Sequence, residues 1–324
     1  MNILVIGLGS MGKRRIRLLK ELYPECVIWG VDGREERCDE AKILFNIQCC
    51  RSIKDVTDPF MIDFAFVCTP PLSHSTIITE CLLNKWNVFT ELNLVSDGYS
   101  ENIELAKKNG CVLFLSSTFF YREEIKYIKE QVIQNIKWNY IYHIGQYLPD
   151  WHPWEDYRDF FVGNKKTNGC REIMAIELPW ITKVFGNVKA IHVLADKMTG
   201  LKIDYNDNYL IQIEHENGNK GTLIVDVVSP VAVRRLEVYT EKRYIRWSGT
   251  PESLYEYDQT DNQLKLVKLS EKEEHEEGYS AFVIKNAYKN EIQEFVNVVT
   301  NGKEQIYSLE EDFIILKLID QIGA

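Results

Sequence analysis

Gly7, Gly9 and Gly12 form a Gly-x-Gly-x-x-Gly run with Leu8, Ser10 and Met11 between them. The run follows an apolar strand-like segment, Asn2–Ile6, and opens a segment whose Ile16, Leu18, Leu19 and Leu22 recur at helical spacing. A second strand-like segment, Val27–Val31, leads into Asp32, 20 residues after Gly12. In that setting the first glycine permits a tight turn and the second lets backbone approach a pyrophosphate. The third lets helix and strand pack closely, and unpaired N–H groups at the helix start bind the phosphates. The expected ligand of Gly7, Gly9, Ser10, Met11 and Gly12 is therefore a dinucleotide. Asp32 is expected to accept hydrogen bonds from the adenosine ribose, which favours NAD over NADP because a 2′-phosphate would meet a like charge. Arg34 and Arg37 are the counterweight, since either can reach toward such a phosphate.

Two further segments end where such a ligand would lie. Val67-Cys68-Thr69-Pro70-Pro71-Leu72-Ser73-His74 closes a strand-like run, and in open α/β sheets ligands sit beyond the carboxyl ends of the strands. Thr69, Pro70, Pro71 and His74 are candidates for cofactor contact, with helix capping as the alternative for Ser73 and His74. Glu91, at the next strand tip, has no cation beside it in the sequence and is placed with the cofactor residues. Glu172, at the start of a helical segment, serves as a base if desolvation lifts its pKa toward neutral; the alternative is an acid favoured by the helix dipole. His152 lies between Trp151 and Trp154 beyond Pro153 and either exchanges a proton near pH 7 or fills an aromatic loop. Lys165 and Lys166 offer ammonium groups in what reads as a surface loop. Tyr121, Arg122 and Glu177 read as structural.

The elements that must hold these residues fall into two groups. Residues 1–118 alternate strands (Asn2–Ile6, Val27–Val31, Phe64–Cys68, Asn87–Thr90, Val112–Ser116) with helices (Lys13–Leu22, Glu35–Phe45, Ser75–Leu83, Tyr99–Lys108). Continuous apolar strands separated by helices imply a parallel, doubly wound sheet covered on both faces. Residues 119–324 read as an α+β domain. Helices are expected over Glu123–Ile133 and Glu172–Val184, the latter ending at Gly186, around a strand at Asn139–Gln146. Strand candidates then run from Ala190 to Val267, with turns such as Asn217-Gly218-Asn219, which suggests an antiparallel sheet. Ser270–Gly278 is an acidic loop, and helices over Phe282–Thr300 and Leu309–Ile319 close the chain.

Composition narrows the function classes. At 45% hydrophobic and 27% charged, the chain can bury a real core, while its apolar runs fall far short of the roughly 18 residues of a membrane span. The net charge of −10 argues against nucleic acid. The one basic run, Lys13-Arg14-Arg15-Ile16-Arg17, spreads over more than one helix face and reads as solvated surface. Neither the eight cysteines nor the six histidines have metal-ligand spacing, so no metal is expected, and reduced thiols fit a cytoplasmic protein. Residues 119–324 hold 25 basic and 33 acidic side chains, which weighs against a polyphosphorylated substrate unless a local basic pocket overrides it.

Together "GLGSMGKRR", "VCTPPLSHSTII", Glu91, the stretch from Gly169 to "VFG" at Gly186 and the closing "YKNEIQEFVNVVTNGKEQIYSLEEDFIILKLID" resemble the glucose–fructose oxidoreductase/inositol dehydrogenase (Gfo/Idh/MocA) family over nearly the whole chain. The resemblance implies a Rossmann domain, a C-terminal domain whose open sheet builds a dimer or tetramer, and an NAD-dependent oxidoreductase acting on a sugar, sugar derivative or cyclitol. It also implies a lysine after the strand-tip glutamate, where Leu92 stands. An aspartate and a histidine one helical turn apart fall on Glu172 and Ile176. The family's usual lysine and histidine are therefore absent from their positions. Two functions follow: an oxidoreductase with altered acid/base residues, or an inactive NAD(H)-binding regulatory or structural subunit. The open sheet's exposed positions include Tyr209, Tyr239 or Trp247, depending on register, as interface anchors.

Overall fold

A computed structural model describes residues 1–56, 61–132, 135–151, 153, 155–269 and 282–324. His152 and the segment read as an acidic loop at Ser270–Gly278 lie outside them, as does Ile133. The chain divides into two compact units, residues 1–117 with 288–314 and residues 118–287 with 315–324.

In the first unit β1 (Asn2–Ile6), α1 (Ser10–Leu22), β2 (Val27–Val31), α2 (Glu35–Phe45), β3 (Gln48–Cys50), β4 (Phe64–Val67), α3 (His74–Leu83), β5 (Asn87–Thr90), α4 (Tyr99–Asn109) and β6 (Leu113–Leu115) alternate. All the strands run parallel, in the order β3-β2-β1-β4-β5-β6. This is the doubly wound order in which the chain reverses direction at β1 and leaves a crevice beside the β1 and β4 tips. The sequence reading lacks β3, whose three residues are too few and too polar to carry a periodic signal.

The second unit begins with α5 (Glu123–Gln131), β7 (Asn139–Gly145) and α6 (Gly169–Phe185). A run of strands follows: β8 (Val188–Asp196), β9 (Asn208–His215), β10 (Lys220–Asp226), β11 (Val233–Tyr239), β12 (Tyr244–Trp247), β13 (Tyr255–Asp258) and β14 (Gln263–Leu266). They form one sheet in the order β14-β13-β12-β11-β7-β10-β9-β8. Only β7 and β10 pair in parallel, so the sheet is mostly antiparallel. The closing helices are α7 (Lys285–Asn301) and α8 (Leu309–Ile322).

Each core follows from strand periodicity. In the first unit Phe66, Phe89 and Phe114 are cross-strand neighbours on β4, β5 and β6. Phe295 of α7 sets its ring 5.6, 5.6 and 5.4 Å from theirs, so one helix seals three strands. In the second unit Tyr140, Tyr142, Leu223, Ile211, Leu236 and Trp247 form the buried face of the sheet. Alternation puts Ile141, Leu210 and Leu194 on the other face, 43%, 41% and 60% exposed. Register decides the three aromatics left open above. Tyr239 is half-buried on the outer face, whereas Tyr209 and Trp247 point inward and are buried.

Candidate functional site

The glycine loop is shaped for an anion. Gly7 has a φ of +92°, and a Cβ there would lie 2.7 Å from the Cys68 carbonyl, so the end of β4 presses directly against the loop. At Gly12 a Cβ would come within 1.9 Å of the Gly7 carbonyl oxygen, which only glycine avoids. α1 starts behind Gly9, with no side-chain cap and no acidic residue in its first turn. The first N–H groups of a helix have no intrahelical partner, so this end suits a diphosphate. Ser10 is exposed beside it and Met11 half-buried, its sulfur 3.4 Å from Arg14 Nη1.

Asp32 closes the site from β2. Its Oδ2 accepts from the Leu8 N–H at 2.8 Å and its Oδ1 from the Arg34 N–H at 2.9 Å. The Arg37 guanidinium stands 3.5 Å from Oδ2 and reaches over Gly9. The carboxylate expected to read the ribose therefore also braces the glycine loop.

At the β4 tip a single helical turn, Pro71–Ser73, holds Ser73 Oγ against Thr69 Oγ1 at 2.8 Å. Pro70 is exposed and Pro71 buried. His74 is buried, with Nε2 2.6 Å from the Thr69 carbonyl and Nδ1 2.6 Å from Asn93. Nε2 must donate to the carbonyl. Burial lowers the ring's pKa, so it is neutral and Nδ1 accepts. The tautomer thus sets which end of the Asn93 amide faces the ring. Both nitrogens being used, His74 steers the Thr69 loop rather than offering a nitrogen to a ligand.

Glu91 finds in space the cation it lacks in sequence. Arg15 of α1 meets it with Nε to Oε1 at 2.6 Å and Nη2 to Oε2 at 3.1 Å. Arg15 also bonds Glu291 at 2.8 Å and Ser116 at 3.1 Å and is wholly buried. This corrects the reading of Lys13–Arg17 as solvated surface: Arg14 and Arg15 are both buried. The signal was present, because Arg15 stands at i relative to Leu18, Leu19 and Leu22 at i+3, i+4 and i+7, on the sheet-facing stripe. Glu291 and Asn93 carried no local signal, their roles coming from pairing across 276 and 19 residues.

In the second unit Asn168 caps α6, its Oδ1 accepting from the Arg171 N–H at 2.8 Å. Four residues on, Glu172 lies on nearly the same helix face, and Ile176 another four on. Both are half-buried. Glu172 Oε2 is shut off from water and has no hydrogen-bond partner among the described residues, and this desolvation pushes the carboxyl pKa up to about 7. Glu177, by contrast, is saturated by Tyr142 at 2.8 Å, Trp180 at 2.7 Å and Arg234 at 2.6 Å, which fixes α6 on the sheet. Tyr121 and Arg122 are buried, Arg122 donating to the Gly249 carbonyl at 2.7 Å. Leu92 is half-buried, and Lys165 and Lys166 are exposed.

The state of Glu172 is measurable through stability. A carboxyl whose pKa is raised by folding, from 4.5 to about 7, favours the folded state most below pH 4.5 and loses that contribution as pH rises through about 7. Glu172→Gln carries no such charge. Relative to the parent it should gain about 3 kcal/mol between pH 4 and pH 8, measured by urea unfolding. A difference independent of pH would mean that the carboxyl is not desolvated.

The comparisons agree with this geometry. Residues 1–117 match the family described as oxidoreductase family, NAD-binding Rossmann fold (GFO_IDH_MocA). No curated protein matches the sequence. Among solved structures, GenD2 from gentamicin A biosynthesis, in complex with NAD, is 16% identical at a TM-score of 0.77, over 99% of this chain and 92% of that one. UDP-N-acetylglucosamine 3-dehydrogenase GnnA from Acidithiobacillus ferrooxidans is 14% identical at 0.76, over 100% and 96%. Biliverdin reductase from Synechocystis sp. PCC 6803, in complex with biliverdin and NADP+, is 15% identical at 0.77, over 99% and 98%. Identities this low speak for the shared fold alone, while the match over residues 1–117 carries the cofactor loop described above. Residues 1–117 carry the NAD-binding Rossmann fold of the Gfo/Idh/MocA oxidoreductase family.

Proposed function

We propose that this protein is an NAD-dependent oxidoreductase of a sugar, sugar derivative or cyclitol, with Glu172 handling the proton in place of the family's lysine and histidine. The observation that carries this reading is the desolvated, unpartnered Oε2 of Glu172, with a pKa near 7, at the position where the resemblance puts an aspartate. A carboxylate poised near the working pH is the general base that alcohol oxidation needs. The bound nicotinamide supplies the hydride acceptor. Glu172 takes the hydroxyl proton as the carbon–oxygen double bond forms, and returns it in reduction. Leu92 and Ile176 can do neither, since their side chains hold no donor, acceptor or charge. The carbohydrate class is supported by the resemblance and by a similar fold in a UDP-N-acetylglucosamine dehydrogenase. The same fold in a biliverdin reductase means that fold by itself does not choose it. The eight free thiols fit a cytoplasmic setting.

A second reading, an NAD(H)-binding subunit without turnover, is favoured by Leu92 and Ile176. A panel of cyclitols, hexoses, uronic acids and biliverdin, followed by NADH absorbance, separates the two. For the enzyme, kcat/KM of oxidation should fall below pH 7, and Glu172→Gln should lower kcat by about 10²–10⁴-fold with NAD affinity unchanged. A variant as active as the parent would remove Glu172 from the mechanism. No turnover of any panel member with NADH tightly bound would favour the subunit reading.

Cofactor choice rests on Asp32, whose carboxylate would repel a 2′-phosphate despite the nearby Arg37. NAD(H) should therefore bind more tightly than NADP(H), and Asp32→Ala should bring the two dissociation constants closer together. Fluorescence titration giving equal affinities for the unmutated protein would sink the assignment.

We also propose assembly as a homodimer or homotetramer through the open face of the second sheet. Leu194, Leu210 and Ile224 are neighbours in register there, and the row runs on to His143 of β7 with Ile141 two residues along that strand, an apolar patch of the kind that marks interfaces. Light scattering at micromolar concentration should give two or four chains, and a monomer mass would remove the idea.

A further inference from the structure

The second unit holds a cavity of about 590 Å³, within the range of small-molecule sites. One wall is the turn before α6, with Lys165, Lys166 and Asn168; another is the β8–β9 connection, with Lys197, Asp204 and Tyr205. Three ammonium groups face one carboxylate among these side chains, in a chain whose net charge is −10. Lys197 spends its Nζ on the Ile203 carbonyl at 2.8 Å. Lys165 and Lys166 make no ion pair among the described residues, although many other surface lysines do, such as Lys107 with Glu310 and Lys189 with Glu214. Ala324, whose terminal carboxylate is a second anion beside Asp204, lines the cavity too, so three ammonium groups stand against two carboxylates and the balance stays positive.

Glu172 does not itself line the cavity, but helix geometry relates it to Asn168, which does. Asn168 also caps α6, and Glu172 follows four residues later. Four residues of helix rise about 6 Å and turn about 400°, so Glu172 sits one turn along from Asn168 and only about 40° around. Because the cap of α6 lines the cavity, the positive end of that helix dipole lies at its wall.

We propose that this cavity binds an oxyanion of the substrate, a carboxylate or phosphate on a carbohydrate-sized molecule, and so holds the reacting carbon one helical turn away at Glu172. Lysine is a compact point charge that accepts either anion, without the bidentate selection that arginine imposes. The acidic balance of residues 119–324 is thereby overridden locally, and the substrate class narrows to sugar acids and sugar phosphates. The inference rests on Glu172 being the proton-handling group, but its test does not.

Calorimetric titration of the full chain with glucuronate, with glucose 6-phosphate and with glucose reads binding without turnover. At least one of the two anionic sugars should bind at least tenfold more tightly than glucose, and which one binds distinguishes carboxylate from phosphate. The double variant Lys165→Ala/Lys166→Ala should weaken that binding by about tenfold or more, whereas Lys165→Arg/Lys166→Arg, keeping the charge, should retain it. Glu172→Gln should leave it unchanged. Indifference to anion charge, or equal binding by parent and alanine variant, overturns the site whatever Glu172 does. Anion binding lost in the alanine variant, together with full activity in Glu172→Gln, keeps the site and discards only the role of Glu172.

Discussion

The first unit turns on one buried guanidinium. Arg15 lies on the helix that begins at the glycine run, has no access to water, and is met by Glu91 at the tip of β5 and by Glu291 on α7. Burial alone would push its pKa down, but the two carboxylates outweigh that and hold it up. Glu291 feels the opposite balance, raised by burial and partly restored by Arg15. Beneath the guanidinium the Phe89 ring sits 4.5 Å away, so the charge also rests on an aromatic face. A buried charge left without partners is far costlier than a paired one is stabilising. Helix, strand tip and closing helix are therefore tied to one arrangement, and the glycine loop inherits its position from it.

That knot ties the glutamate to the strand tip independently of the residue beside it. With both Glu91 oxygens on Arg15, the residue is required by the fold whatever the chemistry beside it. Leu92 has no such obligation. Asn93 has acquired one, because it completes His74, which in turn holds the Thr69 carbonyl. The three residues of one strand tip answer to three constraints: an ion pair, a free position, and a hydrogen-bonded loop support.

What the sequence made legible follows the same division. Local periodicity located β1, β2, β4, β5, α2 and the glycine loop, since each is written in neighbouring residues. The boundaries of α6 were drawn short at the start, because Gly169 and Cys170 are weak helix formers and the cap, Asn168, lies before them. β3 was lost for want of length. The sidedness of Tyr209 and Trp247 was open because alternation gives two faces without saying which is buried; only pairing register fixes it. Arg15 sits on the apolar stripe by spacing, while its charge points to solvent, and only the carboxylates brought to it by the fold decide between the two. Contacts such as Glu291 to Arg15 have no local trace at all.

Glu172 shows why residue type by itself understates a site. In the sequence it is one more acid near a helix start, where the dipole would hold its pKa low. In the fold one oxygen is closed off from solvent without a donor, and desolvation overcomes the dipole and lifts the group to about 7. Glu177, about one and a half turns away, is even more deeply buried but receives three donors, and so is held in place. Two glutamates on one helix thus differ in function through the number of hydrogen bonds offered to them. An unsatisfied buried carboxylate is a cost that packing alone would remove by substitution to glutamine or leucine. Strongly shifted carboxyls of this kind are found where protons are exchanged as well as in structural networks.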